Sequence, residues 1–94
     1  MPSPVVPLHE PDRGRFSVSA EGELAVCEYA IEGGVMTIHH TRVPAPLEGR
    51  GIAGKMVRSA LDFARAQNLR VRPTCSYADA WMRRHPDYDS LRTA

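Results

Sequence analysis

Leu47-Glu48-Gly49-Arg50-Gly51-Ile52-Ala53-Gly54 is the stretch on which the fold turns: a β-branched run ends just before it and a run of helical period begins inside it. Glycines at 49 and 51 permit backbone conformations that a side chain would obstruct, and they let a ligand approach the peptide groups. The first amides of the following helix have no partners within it, so they offer donors and the positive end of the helix dipole to an anion. The stretch reads as a phosphate cradle, with a ligand-free glycine turn at a helix start as the alternative. It is not a Walker loop, which needs Ser or Thr after GxxxxGK, because Lys55 is followed by Met56. Gly49, Gly51 and Gly54 do match GxGxxG, but two hairpins come first, and Val71 stands where a dinucleotide motif needs an acid about 20 residues on.

Upstream, Phe16, Val18 and Ala20 alternate, Glu21-Gly22-Glu23 turns the chain into a second strand over 24–31, and Glu32-Gly33-Gly34 turns it into a third over 35–43. Pro44 and Pro46 cannot donate to a ladder, so the third strand must leave the sheet there. Downstream, Ile52, Ala53, Met56, Val57, Ala60, Leu61 and Ala64 recur at helical spacing, which predicts a helix over 50–67 with one face on the sheet. Asn68 ends it. Residues 69–72 form a short strand that can lie parallel to the third strand, Pro73 closes it, and Ser76 is the expected N-cap of a short helix to about 84, stopped by Pro86. The fold class is α+β in the order β-β-β-α-β-α. Four prolines among residues 1–14 mark a flexible N-terminal arm, either a loose tail or an arm lying on the domain, leaving 15–94 as the domain.

Ninety-four residues make one small domain that buries roughly 60–65% of its unfolded surface. A net charge of +1, from 12 basic and 11 acidic residues, argues against nucleic acid or an anionic membrane as partner. No apolar run approaches the ~20 residues of a membrane span, and the first ten residues do not resemble a signal peptide, so a cytoplasmic protein is expected. Cys27 and Cys75 make no disulfide framework or zinc site and are expected as free thiols. Cys27, among Ala25, Val26 and Tyr29, reads as core. His39 and His40, adjacent on a strand, should point to opposite faces, which excludes a two-histidine metal clamp.

His40-Thr41-Arg42-Val43-Pro44, then Gly49-Arg50-Gly51-Ile52-Ala53, Pro73-Thr74-Cys75 and Arg84-His85-Pro86-Asp87-Tyr88 carry a resemblance in their order and spacing. Over residues 16–91 the chain resembles the small single-domain GNAT-like N-acetyltransferases. The resemblance implies a truncated GNAT-like fold that binds acetyl-CoA. Its coenzyme A pyrophosphate would lie on Glu48, Gly49, Arg50, Gly51, Ile52, Ala53, Gly54 and Lys55, and its pantetheine in a splay between the third strand and strand 69–72, along Ile38, Thr41 and Val43. Such a second contact is required, because a helix terminus supplies at most ~2 kcal/mol and micromolar binding needs about 8 kcal/mol.

Three departures from the family pattern stand out. Glu48 places a carboxylate where the loop usually carries Gln or Arg, with Arg50 and Lys55 close enough in sequence to compensate. Trp81 occupies the place of a tyrosine that protonates the departing thiolate, and indole cannot do so. Tyr77, one turn earlier, is the substitute. Arg42 stands where many relatives have an acid. The candidate catalytic residues are thus Tyr77, His40 as base or acyl-site contact, and Cys75, which lies past the strand end and before a helix N-terminus, an environment that favours a thiolate. The implied activity is acetyl transfer to an unidentified amine, in a monomer or weak dimer; the alternative is an acyl-CoA-binding protein without amine transfer, self-acylating at Cys75.

Overall fold

The hairpins and the glycine loop set the course of the chain, which a computed structural model describes for residues 5–93. Strands β1 (Leu8–Glu10), β2 (Arg15–Ala20), β3 (Glu23–Glu32) and β4 (Val35–Arg42) run antiparallel in sequence order. Helix α1 (Ile52–Ala66) then crosses to β5 (Arg70–Pro73), which pairs parallel to β4, and α2 (Ser76–Arg84) follows. A 3-10 turn over Pro86–Leu91 and a bridge between Val71 and Arg92 bring the C-terminus along the outer edge of β5. This is the expected α+β order with one strand added in front.

Alternation sends Phe16, Val18, Ala25, Cys27, Tyr29, Met36 and Ile38 to one face of the sheet, where they meet α1 and α2 in one core. The α1 residues read from sequence as its inner face are buried there, Ala53 being half-buried. Complete burial of Met36, Ile38, Met56 and Leu61 is worth about 1.5–3 kcal/mol each. Asn68, in the left-handed region (φ 58), closes α1. Leu69 N–H bonds to Ala64 O (2.8 Å) and Asn68 N–H to Arg65 O (3.2 Å), the two bonds that satisfy the last carbonyls of a helix.

Three readings of the sequence are corrected. The arm expected over 1–14 is not loose from residue 8 onward, while residues 1–4 lie outside the described ones. Leu8–Glu10 pairs with β2, His9 stacks on Phe16 at 4.1 Å and hydrogen-bonds the Tyr29 hydroxyl at 2.5 Å. Glu10 accepts from Arg15 (2.8 Å) and from the buried Ser17 (2.5 Å). The N-cap of α2 is Cys75, not Ser76, and its side chain makes no capping bond. Finally, Tyr29 pairs with Ile38 and Glu28 with His40, so His39 has no partner on β3 and forms a β-bulge. The bulge breaks strict alternation, and His39 and His40 are both exposed instead of pointing to opposite faces.

Candidate functional site

Beta-strand β4 changes character at the bulge. Up to Ile38 it pairs with β3 on one side and β5 on the other. Ile38 is fully buried, and its carbonyl accepts from the amides of Thr74 and Cys75, both at 3.1 Å, as β5 turns away. Among the described residues, His39–Arg42 has β3 as its only strand neighbour. Strands β4 and β5 therefore part beyond Ile38, so Ile38, expected along the splay, belongs instead to the closed half of β4. An extended ligand can bond to the vacant side of this strand as a short extra strand would.

Beside that open edge lies the glycine loop. Gly49 (φ 79) and Gly51 (φ 74) take left-handed conformations, with open space where their side chains would be. Gly51 caps α1, no side chain caps the helix, and its first turn holds no acid. The first intrahelical bond runs from Lys55 N–H to Gly51 O, so the amides of Ile52, Ala53 and Gly54 precede it. Thr41, Val43, Leu47, Glu48, Gly49, Gly51, Ile52, Ala53 and Tyr77 surround a pocket of about 490 Å³. Backbone donors at a helix start, with room before them, fit an anionic group.

The side chains fit less simply. Arg50 pairs with Glu21 in the β2–β3 turn and donates to the Pro46 carbonyl at 3.2 Å, so it does not line the pocket or offset Glu48. Lys55 is exposed on the first turn and is also outside the lining. Gly54 serves packing: a Cβ there would meet Trp81 Nε1 at 3.1 Å and Tyr77 Oη at 3.5 Å, so its lack of a side chain lets α1 and α2 approach. What the loop offers an anion is thus its backbone donors, against one carboxylate, Glu48.

A second pocket of about 280 Å³ adjoins the first through Thr41 and Tyr77 and is completed by His39, His40, Cys75 and Ser76. The three residues singled out for catalysis, Cys75, His40 and Tyr77, are brought together here. Cys75 Sγ lies 3.3 Å from Thr41 Oγ1. Burial pushes the Tyr77 phenol above its ordinary value while the charge of Arg84 pulls it back, so Tyr77 holds its proton at neutral pH. Cys27 is the opposite case, a core thiol pushed up to about 12 by burial. Trp81 is buried, stacked on His85 at 3.6 Å and lying under the Arg58 guanidinium at 5.2 Å. His85 Nδ1–H donates to the Trp81 carbonyl at 2.7 Å, and Tyr88 Oη–H donates to Asp62 at 2.7 Å, so this end of the motif serves packing. Both cysteines are free, and among the described residues no group of three His, Cys, Asp or Glu side chains is placed to hold a metal ion.

Sequence reasoning missed Leu47 and His39 as lining residues and Glu21 as the partner of Arg50. Leu47 belonged to the quoted loop, and its buried side chain forms part of the pocket wall. The bulge that turns His39 outward has no signature in composition, and a pair 29 residues apart across a turn has none in spacing.

Comparison with known proteins agrees with this architecture. A family model described as GCN5-related N-acetyl-transferase matches residues 15–91. Protein NATD1 of Mus musculus is 34% identical over 86 residues, covering 88% of this chain and 78% of that protein. The Homo sapiens NATD1 is 33% identical over 86 residues, with 88% and 76% covered. The NMR solution structure of a GCN5-like protein from Staphylococcus aureus superposes with a TM-score of 0.76, covering 96% of this chain and 89% of that one at 22% identity. At that identity the likeness speaks for the fold.

Proposed function

Because the chain belongs to the GCN5-related N-acetyltransferase family, we propose that it binds acetyl-CoA across the glycine loop and the open half of β4 and passes the acetyl group directly to an amine. The observation that carries this reading is the adjacency of an uncapped helix start to four strand residues with one free side. Either feature alone is common.

When bound, acetyl-CoA supplies an acyl carbon already activated as a thioester. The amides of residues 49–54 hold its pyrophosphate, and the vacant side of His39–Arg42 orients the pantetheine so that the acyl group reaches Thr41. A backbone amide near Thr41 stabilises the oxygen that gains charge during attack. Tyr77, protonated at neutral pH, gives its proton to the departing thiolate. His40, exposed on the wall of the second pocket, takes the proton that the amine gives up. Cys75 forms the wall beside the acyl group and is not an obligatory carrier.

Calorimetric titration with acetyl-CoA, followed by coenzyme A release in the presence of amines, tests the reading. Micromolar binding and amine-dependent release that persists in Cys75→Ala would support it. Absence of binding would reduce the loop to a turn. Binding followed only by a stable acetyl adduct lost in Cys75→Ala would replace direct transfer with self-acylation.

A further inference from the structure

The turn that joins β2 to β3 holds Glu21 and Gly22 at φ 53 and φ 74, the left-handed pair that a two-residue hairpin turn requires. Asparagine or glycine takes the first of these places readily; glutamate does not. The Glu21 carboxylate reaches across to the glycine loop and pairs with Arg50, 29 residues on, with both side chains about half exposed. A strained backbone kept at a residue whose side chain makes a long-range ion pair points to a use for that pair.

The loop does not need the pair for its shape. Leu47 N–H bonds to Pro44 O (2.9 Å), Glu48 N–H bonds to Ala45 O (3.2 Å), and the two left-handed glycines complete the course of the chain. Arg50 lies between Gly49 and Gly51, which both line the first pocket, while its guanidinium is held outside by Glu21 and the Pro46 carbonyl. Among the described residues, the pocket lining is left with one carboxylate, Glu48, and no cation. For a ligand with phosphates this is an unfavourable balance, and the nearest guanidinium in sequence is occupied by a competing carboxylate. A half-exposed ion pair is weak, whereas a guanidinium makes short, bidentate bonds to phosphate.

Resting on the acetyl-CoA reading above, we infer that Glu21 restrains donor binding. It holds Arg50 in the free protein, and a phosphate group of the donor takes Arg50 from it when the pyrophosphate settles on the amides of residues 49–54. Glu21 and Arg50 set the affinity for a phosphorylated donor and take no part in acyl transfer.

Calorimetry on the full chain compares acetyl-CoA, acetyl-dephospho-CoA and S-acetylpantetheine in the unmodified protein, Glu21→Gln, Arg50→Gln and the double variant. Glu21→Gln should bind acetyl-CoA roughly three-fold tighter or more, Arg50→Gln should bind it more weakly, and Glu21→Gln should add nothing once Arg50 is replaced. S-acetylpantetheine, which has no phosphate, should not distinguish the four proteins. Loss of the Glu21→Gln gain with acetyl-dephospho-CoA assigns the exchange to the 3′-phosphate, and retention assigns it to the pyrophosphate; either supports the inference. Weaker or unchanged acetyl-CoA binding in Glu21→Gln overturns it. So does a gain of equal size without Arg50, which is long-range repulsion alone, or a gain shared by S-acetylpantetheine, which is a change of loop shape. If acetyl-CoA binds none of the four proteins, the donor reading falls separately, and inorganic pyrophosphate followed by amide shifts at 49–54 decides the exchange. Tighter pyrophosphate binding in Glu21→Gln that is lost with Arg50 supports it, and no difference overturns it.

Discussion

The two halves of β4 differ more from each other than either does from its neighbours on adjacent strands. Val35–Ile38 sits between β3 and β5, with Met36 and Ile38 fully buried, and behaves as the centre of a sheet. From the very next residue the same strand carries a bulge, two exposed histidines and one free side. On the proposed function, stability and ligand binding fall in consecutive segments of one strand, and His39 is the joint. The lesson is that an open edge in so small a domain comes from stopping a strand partner early, at Pro73, and not from adding residues around a site.

That division can be broken from either end. Ile38→Ala removes a fully buried side chain from the closed half and should cost about 2–5 kcal/mol of stability, read from the urea midpoint. A loss below 1 kcal/mol would show that the closed half is not the support described. Deleting His39 should restore continuous pairing between β3 and β4 with Thr41 still opposite Cys27 and Arg42 opposite Val26, and remove the local bend and twist that the bulge gives the open half. Acetyl-CoA affinity is then expected to fall at least ten-fold in calorimetry, and retention of full affinity would separate the bulge from the site.

Gly51→Ala sharpens the comparison at the neighbouring loop. It forces a side chain into φ 74, at a cost of about 1–2 kcal/mol, with open space around the new Cβ. Strain and a weakened anion site should appear together, as a modest drop in midpoint and a several-fold loss of acetyl-CoA affinity. The smallest effect is on pH dependence. Burial holds His9 below its ordinary value of 6.5, so the unfolded chain binds that proton first and stability falls as pH drops through about 6.5. The bonds from Arg15 and Arg92 hold Glu10 and Asp79 below their ordinary 4.5 and 3.8, so their contribution is present above those values and is lost as pH falls further. His9 and Glu10 lie on β1, away from the open half of β4. His9→Phe should remove the upper part of the pH slope, and an unchanged slope would assign it elsewhere.

Much of this was legible in the sequence because the strongest signals are local. Pro44 and Pro46 end β4, Gly-Gly at 33–34 makes a hairpin, and the apolar period of α1 names its buried face residue by residue. The loop glycines announced a backbone that a side chain would obstruct, and Gly49 and Gly51 take left-handed conformations. What escaped depends on pairing between distant residues. Leu8-His9-Glu10 has no period of its own between two prolines, yet it is fixed by Phe16, Tyr29 and Ser17, which belong to other strands. Arg50 was expected to answer Glu48 because the two are near in sequence, and Glu21, nearer in space, takes it instead. The bulge at His39 exists only as a mismatch between two registers.

The most direct test of the account is an amide-resolved titration of the isotopically labelled full chain with coenzyme A and then acetyl-CoA. The account predicts saturable shifts confined to residues 39–42, 49–54 and 75–77, with 35–38 and the β1–β2 end unmoved. Shifts spread over the closed half of the sheet, or none up to millimolar ligand, would contradict it.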